Sequence, residues 1–214
     1  MCKMNYCLNR GIQLRFHPQE EDFPLNKIGT LANRNPCLLC KGRITLDNEM
    51  YVYHNYRFYY KDNLGIGCCY MCPMSTCAGY HVHDTEGVTI LYDECTARPV
   101  KVYFHAHGYG QGQWRNWQDC KKNDNGFLIV YVARNSHASY PNAGLHPRVL
   151  GLGNDITSDR GKRIAYAAFT YIEADTVELD DTEIVMSLKR LPTTSSTLFE
   201  RFFLPFTEKR LLKK

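Results

Sequence analysis

No apolar run in this chain approaches the ~20 residues that a helix needs to cross a bilayer. Residues 1–7 (MCKMNYC) carry no apolar core like that of a secretory leader. Synthesis in the cytosol, without a signal peptide or a transmembrane segment, is the resulting expectation. The formal charge is only +4, and its lysines and arginines are dispersed apart from the last few residues. The dense basic stripe of a nucleic-acid reader is missing, so nucleic acid is not an expected partner. The stretch GYGQG at 108–112 lacks the GK[ST] ending and the following helix of a phosphate loop. It reads instead as a sharp turn. No GxSxG elbow is present for a serine nucleophile. Repeats, low-complexity tracts and a βαβ pattern are also absent.

What the chain does have is aromatic and cysteine-rich. Fifteen Tyr and ten Phe in 214 residues favour strands over helices. Residues 49–61 are almost continuously aromatic and read as a strand. Residues 88–92 and 99–107 read as two more. Residues 127–133 (FLIVYVA) are seven consecutive apolar residues, which implies a strand buried on both faces. Further strands are predicted at 163–172 and 183–189. Residues 1–36, 65–79 and 141–162 are rich in Pro, Gly, Cys or charge and read as irregular. Residues 195–212 place Leu198, Phe199, Phe202, Phe203 and Phe206 on one face of a helix, with Ser195 or Ser196 as its cap and Pro205 as a kink or stop. The expected fold is a single mainly β domain over 1–214, an antiparallel β-sandwich-like body with long loops and a C-terminal helix. Its parts are a Cys-rich irregular portion at 1–78, a β core at 79–190 and an amphipathic helix or arm at 195–214.

Two clusters carry chemistry. His81, His83, Asp84 and Glu86 put two imidazoles and two carboxylates within six residues. On a strand the histidines take one face and the carboxylates the other. One metal can use both sets only at a strand end or a bulge. His105 and His107 lie on the next strand, and His107 is the further candidate ligand. Oxygen donors favour Mg, Ca or Mn, and clustered imidazoles favour Zn. The bland alternative is a set of hydrogen-bonded polar residues at a sheet edge. The second cluster pairs Cys37 with Cys40 and Cys69 with Cys72, each a CxxC. These can grip a tetrahedral zinc, or they can form disulfides, within the chain or between copies.

Ser136, His137 and Asp155 invite a hydrolase reading. Adjacent residues on a strand point to opposite faces, so Ser136 and His137 pair poorly, and capping of the loop after strand 127–133 is favoured.

Three segments together carry a resemblance. Residues 79–89 read GYHVHDTEGVT, residues 102–114 read VYFHAHGYGQGQW, and residues 129–144 read IVYVARNSHASYPNAG, continuing to GNDITSDRG at 153–161. Their order and wording resemble the Vps62 family over about 79–164, with its VYVA-x-x-SHA-x-Y-P-x-x-G segment. The first segment is also similar to the GHRHDWE stretch of necrosis-inducing cytolysins, which implies a β-sandwich and a divalent cation held by His81, Asp84 and Glu86. Here Tyr80 stands before His81 where the cytolysins have Gly, and Thr85 replaces their Trp. The Vps62 resemblance supplies a fold and no reaction.

Three functions follow in order of expectation. The first is a non-enzymatic structural or self-assembling protein, such as a viral or storage particle, with copies joined through cysteines or the C-terminal arm. The second is a binding or membrane-active module dependent on Ca, Mg or Zn. The third is a metal-dependent hydrolase.

Overall fold

The computed structural model describes residues 11–20, 37–46, 49–64, 80–107, 111–148, 153–166 and 170–173. Among the described residues the chain runs through twelve strands. These are β1 (Ile12–Arg15), β2 (Cys37–Leu46), β3 (Glu49–Asn63), β4 (His81–Asp93), β5 (Pro99–Phe104), β6 (Gln113–Asn116), β7 (Leu128–Val132), β8 (Ser139–Tyr140), β9 (Gly144–His146), β10 (Asp155–Thr157), β11 (Arg163–Tyr166) and β12 (Thr170–Glu173). One 3₁₀ turn, Trp117–Asp119, follows β6. The predicted strand at 183–189, the loop at 65–79 and the helix at 195–212 lie outside the described residues. Among the described residues no helix is long and apolar enough to cross a membrane.

Strands β2 to β6 form an antiparallel meander, with β12 added beside β2 to give the order β12-β2-β3-β4-β5-β6. The smaller sheet has the order β11-β1-β7-β8, and β9 and β10 make a separate hairpin. The antiparallel expectation holds along the meander. It needs two corrections, because β1 pairs parallel to β7 and β12 parallel to β2. In both cases the partner strands are far apart in sequence, so no short hairpin dictates their direction.

Alternation explains how the layers close. On β3 and β4 the even-numbered residues Val52, Tyr56, Phe58, Val88, Ile90 and Tyr92 join one cluster with Ile12 and Leu14 of β1 and Leu128, Val130 and Val132 of β7. The two sheets therefore share a single apolar interior. The other face of β7, Ile129 and Tyr131, packs with Ala106, Ala133, Ala138 and Tyr140 in a second cluster. Burial of all five β7 residues agrees with its unbroken apolar sequence.

Two regions read as irregular contain strands. Ile12–Arg15 is only four residues with one polar–apolar alternation, and it is held by pairing to β7 and β11 on its two sides. The 141–162 segment folds back as the β9–β10 hairpin, whose three-residue strands pair Asp155 with His146 and Thr157 with Gly144. Strands this short have no periodicity to read.

Candidate functional site: a buried carboxylate–imidazole cluster

The inward parity of β4 does not stop where its apolar residues stop. Asp84 and Glu86 continue the series Val88, Ile90, Tyr92 toward the start of the strand, opposite Tyr60 and Phe58 of β3. The same alternation that builds the interior thus places two carboxyl groups in it, at 4% and 6% exposure. Buried charge is costly unless it is paired, so the neighbours of these groups decide their state.

The turn between β7 and β8 supplies the first partner. The His137 N–H donates to the Ala133 carbonyl at 3.0 Å, and the Ala133 N–H donates to the Ala138 carbonyl at 2.9 Å. Closing so tightly puts Asn135 and His137 at φ of 66° and 56°, a conformation that costs a non-glycine residue energy and tends to persist where other contacts over-determine it. It aims His137 Nδ1 at Asp84 Oδ2, 3.0 Å away. The ring lies flat on Tyr60, with centroids 4.0 Å apart and planes 3° apart. Nε2 stands 3.8 Å from Glu20 Oε1, and Glu20 Oε2 accepts the Asn135 N–H at 2.8 Å. Burial pulls the imidazole pKa down, but the hydrogen bonds to Asp84 and Glu20, and then their charges, raise it to about 9. His137 is therefore a buried imidazolium bracketed by two carboxylates.

Asp155 gathers a second set. Its Oδ1 accepts from Ser136 Oγ at 2.6 Å, and its Oδ2 accepts from Tyr140 at 2.6 Å and lies 2.5 Å from His107 Nε2. His107 reaches it from just past β5, at φ 53°. Burial pushes the Asp155 carboxyl up, yet the bond and charge of His107, with Ser136 and Tyr140, hold it below its ordinary value. The Tyr140 hydroxyl is pushed up by burial and by Asp155. Glu86 is the exception in the cluster. Burial, then the charges of Asp84 and Asp155, drive its pKa well above the carboxylate range, against the weaker pull of the His107 N–H and Arg57.

The structure separates the sequence candidates. His81 stands at the end of β4, is half exposed, and bends around the strand end to bring Nε2 within 3.2 Å of Asp84 Oδ1. His107 enters through Asp155, while His105 turns to the opposite face of the sheet and meets Thr89. Ser136 and His137 are neighbours with different addresses, the first bonded to Asp155 and the second to Asp84. Cys37 and Cys40 lie in β2, in register with Phe58 and Asn55, and Cys69 and Cys72 fall outside the described residues. Cys95 is exposed, Cys120 is buried, and both are free. Among the described residues no three His, Cys, Asp or Glu groups are arranged to hold a metal as they stand. Sequence reasoning missed Glu20, Tyr60 and Tyr140. Tyr60 shares the inward parity of β3, a signal that was available. Glu20 sits in an acidic run, and only the placement of β1 brings it here.

The Vps62 description, vacuolar protein sorting-associated protein 62, matches residues 41–177. No curated protein matches. Solved structures with a related course include one described as a toxin fold for microbial attack and plant defense, 12% identical over 80% of this chain and 73% of that chain, with a TM-score of 0.43. NLPPya in complex with mannosamine is 12% identical over 96% and 87%, with a TM-score of 0.44. Necrosis and ethylene inducing protein 2, from the causal agent of cocoa's witches' broom disease, is 14% identical over 78% and 72%, with a TM-score of 0.41. These likenesses lend no chemistry to this chain. The family match takes in every segment that carries the resemblance and extends it back into β2: the chain belongs to the Vps62 family.

Proposed function

We propose that this protein is a non-enzymatic binding module whose working centre is a divalent-cation site formed by Asp84, His81 and Glu86, with His107 beside it. The observation that carries the reading is the company Glu86 keeps in the interior of the sheets, where burial and then the charges of Asp84 and Asp155 raise its pKa well above the ordinary value. Four acids, Glu20, Asp84, Glu86 and Asp155, are all at least nine-tenths buried at one end of the layers. That gathering is unfavourable by itself, and a dication would relieve it.

The donor chemistry fits such an ion. Two cis ligands each ~2.1 Å from a metal lie ~3.0–3.4 Å apart in octahedral or tetrahedral geometry, and His81 Nε2 and Asp84 Oδ1 are separated by 3.2 Å. His81 is half exposed, so changing its role from hydrogen-bond partner to ligand disturbs no packed core. Glu86 would complete the set on losing its proton. Bound there, the ion supplies charge neutralisation and a point of attachment for an anionic ligand group.

A hydrolase is disfavoured by the direction of the Ser136 hydroxyl. It donates to a carboxylate already engaged by His107 and Tyr140, whereas nucleophilic activation needs an imidazole base on the hydroxyl. Self-assembly rests on cysteines and a C-terminal arm outside the described residues, and gains no geometry from the site.

The test is calorimetric titration of the chelator-stripped protein with Ca²⁺, Mg²⁺ and Zn²⁺, with thermal unfolding in parallel. One ion should bind saturably and release a proton from Glu86. It should stabilise the fold by ~2.7 kcal/mol when present at a hundred times its Kd. Asp84→Asn should remove both effects. Absence of heat, proton release and any rise in Tm for all three ions would end the proposal.

A further inference from the structure

The outward face of the smaller sheet gathers charge of one sign. Arg15 follows Leu14 on β1, so it takes the face opposite the shared interior. Beside it, in register, stand Tyr131 of β7 on one side and Arg163 of β11 on the other. Residues directly opposite on neighbouring strands share a face, with Cβ atoms ~4.5–5.5 Å apart, and like charges placed there repel. Lys121 approaches from the far side of β7, where its carbonyl accepts the Ile129 N–H at 2.9 Å. The Arg15 Cζ lies 5.8 Å from the centroid of the Tyr131 ring, and the Lys121 Nζ lies 5.5 Å from it. Three cations thus line one row of the sheet, with a buried ring among them.

No acid in reach neutralises them. Among the described residues no carboxylate forms an ion pair with Arg15, Lys121 or Arg163. The preceding row of the same face is Gln13, Ala165 and Ile129, none of them acidic. The Arg15 Nε–H is shielded from solvent and meets no acceptor, a costly state for a charged donor. Contact with the Tyr131 ring steadies the Arg15 and Lys121 side chains but leaves their charge unmatched. Arg15 is half-buried, whereas Lys121 and Arg163 are exposed, so the row is open to a ligand from solvent.

We infer that the Arg15–Arg163 pair, with Lys121 adding its charge across the Tyr131 ring, binds a tetrahedral oxyanion, the phosphate or sulfate group of a small ligand. A guanidinium is a planar fork that matches oxyanions, and two forks on adjacent strands can take separate oxygens of one group. A carboxylate offers two oxygens and a single charge. A phosphate monoester offers three terminal oxygens and nearly two charges, which answers a row of three cations better. Arg15 gives up no ion pair in turning its fork to such a group.

The row shares no residue with the proposed cation centre, so it is tested with that centre stripped. The full chain in chelator is titrated with inorganic phosphate, sulfate and acetate at constant pH and ionic strength, by calorimetry and by thermal unfolding. Wild type should bind phosphate or sulfate saturably, with a concentration-dependent rise in Tm, and clearly more tightly than acetate. The better of the two tetrahedral ions assigns the ester. Arg163→Gln should weaken binding ~10–100-fold, as expected for loss of a charge-assisted contact. Its side chain is exposed, so Tm without anion should not move. Lys121→Gln should weaken binding several-fold. Arg43→Gln removes the same charge from β2, where Arg43 pairs with Glu94 at 3.0 Å, and should bind like wild type. The inference is overturned if neither phosphate nor sulfate binds saturably, or if acetate binds as tightly. Wild-type affinity in Arg163→Gln, or an equal loss in Arg43→Gln, overturns it as well.

Discussion

His137 makes stability fall with rising pH, and the size of the fall can be worked out. In the unfolded chain its imidazole titrates near 6.5, and in the fold near 9. At about 1.4 kcal/mol per pH unit, that rise is worth ~3 kcal/mol. The folded state binds the extra proton, so the contribution is complete below pH 6.5 and disappears as pH climbs through 9. Between those limits the slope should approach about −1.4 kcal/mol per pH unit. The residue is 1% exposed, so solvent screening removes little of this. Urea unfolding in chelator at pH 6, 7.5 and 9 measures it, for wild type and for His137→Gln. The variant serves to subtract the thiols, whose titration overlaps the upper limit; buried Cys120 is itself pushed up to about 11 by burial. A wild-type stability that is flat or rising over that range, after subtraction, would refute the imidazolium held between Asp84 and Glu20.

Two further perturbations check the rest of the architecture. Asp155→Asn removes the negative charge that His107 faces in a buried setting, and should cost about 3–5 kcal/mol in chemical denaturation. A cost below ~1 kcal/mol, typical of a surface ion pair, would show that its contacts with His107, Ser136 and Tyr140 contribute nothing. Leu128→Ala empties a fully buried position where β7 meets the larger sheet. It should lower stability by about 2–5 kcal/mol with the urea m-value unchanged, and a loss under 1 kcal/mol would mean that the two sheets do not pack through β7.

How much of this was legible depended on whether the signal was local. The seven apolar residues at 127–133 announce a strand buried on both sides, and β7 is one. The aromatic run at 49–61 announces β3, and strand parity puts Asp84 and Glu86 on one face whatever the tertiary structure. Parity cannot say which face is inside. That was decided by Ile12, Leu14 and the rest of a smaller sheet assembled from segments more than a hundred residues apart. Glu20 and Asp155 were harder still. The first follows a four-residue strand and the second opens a three-residue one, too short for any period, and each gains its role only from a partner distant in sequence. His107 was legible as a candidate ligand but not as the partner of Asp155, because the left-handed turn after β5 redirects it.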